Sequence, residues 1–234
     1  LLSSNFDLFD LLGRHLYETS PTIRSGNLPN IYCGVLSVLL LPLFATTRTI
    51  PLRRRLTYLG LLFVLALSFS LNYPNLLWHG LHSPNDLPYR FSFIYSFVLL
   101  LIGYEVLLQL RHVTFKQIGF SFVGILAYLM LEERFGDEAY VVHSIYFSLF
   151  FIAVYAIILS VVVRKKHLLR PAYSALLLVV VLEMVWNGGA TYLQLNDNEH
   201  FTPHQSYVDN DTTEAIRQAV NRAKEIGDAE LAGD

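Results

Sequence analysis

Six long apolar segments constrain the fold of this chain more than any other feature of its sequence. Crossing the hydrocarbon core of a bilayer, roughly 30 Å thick, takes about 20 apolar residues in a helix. The third, fifth and sixth segments meet that length, whereas the first, second and fourth are short and would need snorkelling flanks or a locally thinner bilayer. We therefore predict an all-α, polytopic membrane bundle of about six transmembrane helices. The segments run over Ile31–Thr46, Leu56–Asn72, Phe91–Leu110, Gln117–Leu131, Tyr140–Val163 and Ala172–Leu193.

The distribution of charge predicts how the bundle is oriented. Three connections, Thr47–Arg55, Arg111–Lys116 and Arg164–Arg170, hold ten of the 17 basic residues and no Asp or Glu. Short basic loops stay in the cytoplasm, so both ends of the chain and the remaining connections are expected outside the cell membrane. Aromatic residues that suit an interfacial belt fall near the predicted outer boundary. They are Tyr73, Trp78, Tyr89, Tyr140, Trp186 and Tyr192.

The segments that flank the bundle predict two further regions. Residues 1–30 are expected to form an extracytoplasmic segment, with a short interfacial helix opened by Ser4–Asp7. Residues 31–193 form the six-helix region, and residues 194–234 begin an extracytoplasmic domain. In that last part a polar loop, Gln194–Asn210, precedes an amphipathic helix that starts at Asp211. We interpret the chain as an internal piece of a longer protein whose last domain is truncated.

The connection between the second and third segments is unusually rich in rings, amides and prolines. Arg90 stands at the mouth of the third segment, where it could hold a lipid phosphate. Side chains His79, Asn85 and Asp86 could contact sugar hydroxyls, and Trp78 could stack on a sugar or an isoprenoid chain. The alternative is an interfacial anchor, because Trp prefers the headgroup zone and Arg snorkels there. The residues alone leave both interpretations open.

Titratable groups inside the apolar segments form a second set of candidates, because such groups are costly in a membrane. Glu183 lies in the middle of the sixth segment, with Asn187 one turn later. It could face a cavity or partner helix, or it could be a hydrogen-bonded acid that helps to pack the bundle. Glu105 is expected to form a local ion pair with Arg111. His143 is expected to be an ordinary interfacial histidine.

Metal and cofactor chemistry finds little support in the sequence. His79 and His82 are three residues apart, and His200 and His204 are four apart, but both pairs lie among prolines and turn residues. A structural zinc site would need four ligands, and no convincing third one is near either pair. The sequence identifies no cofactor and leaves a divalent metal open. No basic stripe with interleaved aromatics is present, so nucleic acid is not an expected partner.

Several strings resemble the bacterial YfhO family of multi-pass membrane proteins. The stretch Asn75–Phe97 closely resembles the hallmark loop of the family, and Gly26–Gly34 resembles the approach to its preceding helix. Glu183 with Asn187 is similar to an acid–Asn pair in a later helix. The resemblance implies a glycosyltransferase of the GT-C type, which takes a sugar from an undecaprenyl-phosphate carrier outside the cell. The acceptor would be lipoteichoic acid or a related wall polymer.

The same resemblance defines what this chain would contribute. It implies a lipid-carrier site at Trp78, His79, Asn85, Asp86 and Arg90, and expected partners that are membrane lipids, a polyprenyl-phosphate sugar donor and a wall-polymer acceptor. The catalytic acid of GT-C enzymes lies in the first extracytoplasmic loop, which we expect upstream of Leu1. Two other functions stay open. One is a transporter or flippase of polyprenyl-linked lipids, and the other is a noncatalytic membrane scaffold.

Overall fold

A computed structural model describes residues 6, 8–18, 28–82, 89–135, 142–199 and 211–231. Within these ranges the chain forms helices and short connections. The long helices are joined by two one-turn 3-10 helices, Leu110–His112 and Lys166–Leu168. The α-helices are α1 (Leu8–Gly13), α2 (Val35–Thr46), α3 (Leu52–Ser70), α4 (Asn72–Trp78), α5 (Ser92–Leu108), α6 (Phe115–Phe135), α7 (Val142–Arg164), α8 (Leu169–Glu199) and α9 (Asp211–Leu231).

Helices occur at all six predicted positions, and the all-α membrane bundle is confirmed. Three helical stretches within the described residues are long and apolar enough to cross a membrane, namely Phe115–Phe135, His143–Arg164 and Lys166–Leu193. Helices α2 and α5 are apolar but shorter. The third predicted segment therefore yields a shorter helix than expected, 17 residues in α5, and the fourth a longer one, 21 residues in α6.

A local signal explains the earlier start of α6. Thr114 and Gln117 form a reciprocal capping box, in which the Gln117 side chain accepts from the Thr114 N–H at 2.8 Å and Thr114 Oγ1 accepts from the Gln117 N–H at 3.3 Å. This cap starts α6 at Phe115, two residues earlier than predicted. At the far end α6 continues through Glu132, which was expected in a loop but is 2% exposed. Neither carboxyl oxygen of Glu132 has a hydrogen-bond partner among the described residues.

The last long apolar helix also exceeds its prediction. Helix α8 runs for 31 residues to Glu199, so the polar loop predicted from Gln194 is wrong for its first six residues. Polar side chains alone do not end a helix, because its backbone hydrogen bonds remain satisfied.

Helix α2 forms the centre of the bundle. It packs against α5, α6 and α7, and its side chains Leu39, Leu43 and Phe44 are completely buried. Non-helical backbone at Gly34 and Thr47 limits this helix to 12 residues. Large apolar side chains are instead exposed on the outer helices, for example Phe63 on α3 and Phe120 on α6. Exposed apolar surface of this kind suits contact with lipid.

The segment 8–18 lies among the helices. A helix occurs in the predicted segment as α1, and the two residues Leu16 and Tyr17, which follow it, are completely buried. The hydroxyl of Tyr128 on α6 donates to the carbonyl of Leu12 at 2.5 Å. Ser148 Oγ on α7 accepts from the N–H of Tyr17 at 2.9 Å. These contacts satisfy backbone groups that a buried loop would otherwise leave unpaired.

The opposite end of the bundle carries the three basic connections. Arg54 on α3 pairs with Glu105 on α5 at 2.9 Å, so the prediction of an Arg111 partner for Glu105 is wrong. The amide nitrogen of Gln117 donates to the carbonyl of Thr46 at 3.0 Å, which joins the start of α6 to the end of α2. We call this end, with its connections Thr47–Arg55, Arg111–Lys116 and Arg164–Arg170, the basic end.

The chain divides into two compact units, Leu1–Asn198 and Glu199–Asp234. In the second unit the structure describes α9, which begins at Asp211 as predicted. Its side chains Ile216 and Val220 are exposed within that unit. The apolar side chains of the predicted amphipathic pattern are therefore exposed on α9.

Candidate functional site

The connection after α3 begins with a break between two helices. Leu71 is extended, with φ −105° and ψ 133°, and it separates α3 from α4. Pro74 occupies the third position of α4, where a missing N–H costs no intrahelical hydrogen bond. After α4 the chain turns through Gly80 and Leu81, both with positive φ. The left-handed conformation costs a residue such as Leu81 about 1–2 kcal/mol, and the hydrogen bond from Leu81 N–H to the Leu76 carbonyl, 2.9 Å, helps to hold it.

Trp78 is fixed by a stack of aromatic rings. Its ring lies 5.0 Å from that of Phe91 with an interplanar angle of 14°. Phe91 in turn stacks on Phe69 at 4.8 Å and is 6% exposed. Trp78 itself is 48% exposed. The indole is thus held in place while about half of it stays accessible to a ligand or to lipid.

His79 follows Trp78 and has a fixed ring orientation. Its Nδ1 lies 2.8 Å from the backbone carbonyl of Asn75, which can only accept, so Nδ1 carries the proton. The imidazole and the Phe91 ring pack edge-to-face, with their centroids 6.1 Å apart. Asn75 is buried, and its side-chain oxygen has no hydrogen-bond partner among the described residues. The Phe91 ring therefore contacts the rings of both Trp78 and His79.

Arg90 directly precedes Phe91 and is exposed at the start of α5. Neighbouring Tyr89 contacts the rings of Phe6 and Phe69, and burial raises the pKa of Tyr89 to about 12, so its phenol is neutral at ordinary pH. A cation near a helix N-terminus is unfavourable, and a bound anion would relieve that cost. The remaining two predicted residues, Asn85 and Asp86, lie outside the described part of the chain.

Glu183 occupies a separate, fully buried site between helices. Its Oε1 accepts from the hydroxyl of Tyr32 at 2.5 Å and from the N–H of Val35 at 2.7 Å. Its Oε2 accepts from the hydroxyl of Tyr155 at 2.6 Å. These three hydrogen bonds agree with the second interpretation of Glu183, an acid that helps to pack the bundle. They join α8 to α7 and to the start of α2. The carboxyl group also borders a cavity of about 200 Å³.

Gly34 lets the Glu183 carboxyl group reach the start of α2. Its φ of 92° is one that side-chain-bearing residues rarely adopt, and an added Cβ would lie 3.2 Å from Cε of Met184. The carboxyl oxygens of Glu183 would be 3.7 and 3.8 Å away. Any side chain at position 34 would thus press against α8 where it meets α2.

Asn187 extends the same contact by one helical turn. Its side-chain oxygen accepts from the N–H of Glu18 at 2.8 Å. Sequence reasoning singled out Glu183 and Asn187 but missed their partners Tyr32, Val35 and Tyr155. No fixed spacing links these residues, and only the tyrosines in otherwise apolar surroundings gave a signal.

Metal-ligating side chains are not clustered in the part of the chain that the structure describes. No group of three or more His, Cys, Asp or Glu residues lies close enough there to hold an ion. His200 and His204 lie outside the described residues.

The apolar helices and the polar groups buried among them define a multi-pass membrane protein. The sequence matches the family described as bacterial membrane protein YfhO over residues 1–230, and the chain belongs to that family. No match is found among curated proteins or among solved structures.

Proposed function

We propose that the protein is a membrane glycosyltransferase of the bacterial envelope. It would transfer a sugar from an undecaprenyl-phosphate carrier to lipoteichoic acid or a related wall polymer. Membership of the YfhO family supports this function. The observation that carries it is the placement of exposed Arg90 immediately before Phe91, whose ring contacts those of Trp78 and His79. An exposed cation beside a half-exposed ring can bind a lipid phosphate and a sugar together.

The proposed orientation places this group of residues outside the cell. The basic end carries ten basic residues, and the only carboxyl group known to pair there among the described residues is that of Glu105. Short loops of this composition stay cytoplasmic. Trp78 and His79 lie at the end of α4, and Arg90 lies just before α5, at the end of the bundle away from the basic end. In this orientation they would meet the carrier in the outer leaflet.

Each residue of the group has a separate task in this proposal. Arg90 holds the carrier phosphate with two parallel hydrogen bonds. Trp78 stacks its accessible side on the sugar or on the first isoprene units. His79, Asn85 and Asp86 contact sugar hydroxyls. The Phe91 stack keeps Trp78 and His79 in place, which limits the entropy lost when substrate binds.

The reaction moves charge onto the phosphate. The oxygen of the acceptor hydroxyl forms a bond to the anomeric carbon, and the bond from that carbon to the phosphate oxygen breaks. The bonding electrons leave with polyprenyl phosphate, and the hydroxyl proton passes to a base, which we expect to be the carboxyl group of the first extracytoplasmic loop. Arg90 stabilises the charge that develops on the leaving phosphate, a type of contribution that often dominates catalysis.

Replacement of Arg90 tests the proposal in cells that carry the full-length protein as their only copy. We expect Arg90→Gln to lower the rate of sugar transfer to lipoteichoic acid by about 10²-fold, because one charge-stabilising group at a reacting centre contributes on that order. The matched control is Arg53→Gln, which removes an exposed arginine at the basic end. Protein levels are measured by immunoblot. Normal glycosylation at normal protein levels would remove Arg90 from the mechanism.

A pair of tryptophan variants separates a binding site from a membrane anchor. The sequence has two tryptophans, and Trp186 is 61% exposed against 48% for Trp78. A site predicts that Trp78→Ala loses glycosylation while Trp186→Ala keeps it. Equal small effects would indicate interfacial anchoring. Loss of carrier flipping in vesicles by Arg90→Gln, without direct loss of transfer, would favour a flippase.

A further inference from the structure

A cavity of about 470 Å³ lies between α6 and α7, toward the basic end. Its walls include Gly119 and Phe122 on α6 and Ala153, Ala156 and Ile157 on α7. Apart from its two chain neighbours and the backbone of α6 itself, no atom lies within 4 Å of the position that a Cβ would take at Gly119. Small residues on both helices therefore leave room for an occupant.

The cavity has a cation at one end. Arg164, the last residue of α7, lines it together with Phe115, the first residue of α6. The guanidinium carbon of Arg164 lies 4.0 Å from the centre of the Phe115 ring. This cation–π contact orients Arg164 over the end of the cavity. No carboxyl group among the described residues pairs with it.

The surroundings of the cavity attract anions. No Asp or Glu occurs between residues 106 and 131 or between residues 142 and 182, which include nearly all of α6 and α7. Exposed basic side chains adjoin the same ends of these helices, namely Arg111, Lys116, Lys165, Lys166 and Arg170. The 3-10 helix Leu110–His112 packs against α7. The field at this end is therefore positive, and the acid described at the basic end, Glu105, is already paired with Arg54.

The length and chemistry of the cavity match one leaflet of a bilayer. From Ala153 to Arg164 the cavity follows α7 for about 16 Å at the usual helical rise, close to half of the roughly 30 Å hydrocarbon core. Its walls are apolar, and the rim residues Ile157 and Phe115 are 64% and 46% exposed toward the surroundings of the bundle. An occupant needs an apolar chain along α7 and an anionic group at Arg164.

We propose that this cavity binds an anionic phospholipid. One acyl chain lies between α6 and α7, and the phosphate accepts hydrogen bonds from Arg164. Basic pockets between membrane helices bind anionic lipids through this combination of apolar and charged contacts. The site lies apart from Arg90 and does not depend on the proposed transferase activity.

Lipid retention by the purified full chain tests this site. The probes are phosphatidylglycerol and phosphatidylcholine with identical acyl chains, and native mass spectrometry counts the lipids that stay bound. We expect about fivefold greater retention of phosphatidylglycerol, the factor that one basic contact provides. Arg164→Gln should reduce phosphatidylglycerol to the level of phosphatidylcholine. Arg170→Gln, which removes an exposed cation of the same connection that does not line the cavity, should weaken the preference far less than Arg164→Gln.

A second pair of variants tests the acyl chain. Gly119→Leu fills the cavity and should reduce retention of both lipids by at least about fivefold. Gly60→Leu, on α3 and also with open space around its Cβ position, should change neither. Equal retention of the two lipids by the native chain would overturn the proposal. Equal losses in Arg164→Gln and Arg170→Gln would also overturn it, because they would indicate diffuse surface attraction.

Discussion

The carboxyl group of Glu183 accepts a hydrogen bond from the backbone N–H of Val35 at 2.7 Å, across 148 positions of the sequence. Val35 is the first residue of α2, and the first N–H groups of a helix lack partners within it. Gly34 provides no side-chain cap. Acidic side chains are favoured near helix N-termini. Glu183 therefore caps the central helix of the bundle from a different helix.

Removal of this cap is expected to destabilise the bundle strongly. Glu183→Ala leaves the Val35 N–H and the hydroxyls of Tyr32 and Tyr155 without their acceptor, and the free energy of unfolding should fall by about 3 kcal/mol or more. Glu183→Gln keeps one acceptor oxygen and should lose less. Thermal unfolding in nanodiscs measures both. Glu133→Gln, at an exposed position of α6, is the control. A similar loss in all three variants would contradict the role of Glu183.

Two glycine substitutions should have opposite signs. Gly34→Ala must adopt a φ of 92° and brings its Cβ to 3.2 Å from Met184, so we expect a loss of about 1–3 kcal/mol. Gly60→Ala lies within α3 with open space around the new methyl group and should gain about 0.5–1 kcal/mol. The melting temperatures of both variants, compared with that of the native chain, test the two predicted signs. A stable Gly34→Ala variant would show that the turn has room for a side chain.

The ion pair between Arg54 and Glu105 should contribute little. The side chain of Arg54 is 51% exposed, and exposed pairs contribute less than about 1 kcal/mol. A double-mutant cycle identifies the partner. Glu105→Gln should have no further effect in an Arg54→Gln background, whereas its effect should persist in an Arg111→Gln background. The reverse pattern would restore Arg111 as the partner of Glu105.

Acid should loosen the segment 8–18 through His15. With Nδ1–H donated to the Leu12 carbonyl at 3.0 Å, Nε2 accepts from the Tyr95 hydroxyl at 2.9 Å. Burial lowers the pKa of His15 below its usual 6.5, although the hydrogen bond to the Leu12 backbone opposes this. The unfolded chain then binds the proton more readily than the folded chain. The stability contributed by neutral His15 is complete above pH 6.5 and is lost as pH falls, by up to about 1.4 kcal/mol per pH unit.

Unfolding measured from pH 7.5 to pH 5 tests that dependence. The variant His15→Gln should flatten the slope, because it removes the group that takes up the proton. His143→Gln, at an exposed position of α7, should keep the slope of the native chain. An unchanged slope in His15→Gln would assign the acid sensitivity to other groups.

The apolar segments predicted the helices well, because a long run of apolar residues is a local property of the sequence. Their ends were less predictable. The Thr114–Gln117 capping box was readable in the sequence, and its recognition would have placed the start of α6 correctly. The continuation of α8 to Glu199 was not readable, because polar residues are equally compatible with a solvated helix and with a loop.

The candidate sites divide in the same way. The group around Trp78 and Arg90 was proposed from composition, since rings and charges in a connection between apolar segments are a local signal. The partners of Glu183 and Glu105 depend on which helices are neighbours, and no periodicity encodes that. Glu105 illustrates the limit: Arg111 is close in sequence, but the helix that packs beside α5 offers Arg54.

The long separation between Val35 and Glu183 has a consequence for biosynthesis. The first turn of α2 leaves the ribosome 148 residues before its acceptor does. At ordinary rates of translation that interval is roughly 7 to 30 s. During this time the N–H of Val35 at the start of α2 has no cap. The cap forms only after α8 has been made. Termination of translation before Glu183 would thus release a bundle whose central helix α2 stays uncapped. We expect membrane proteases to degrade such a bundle.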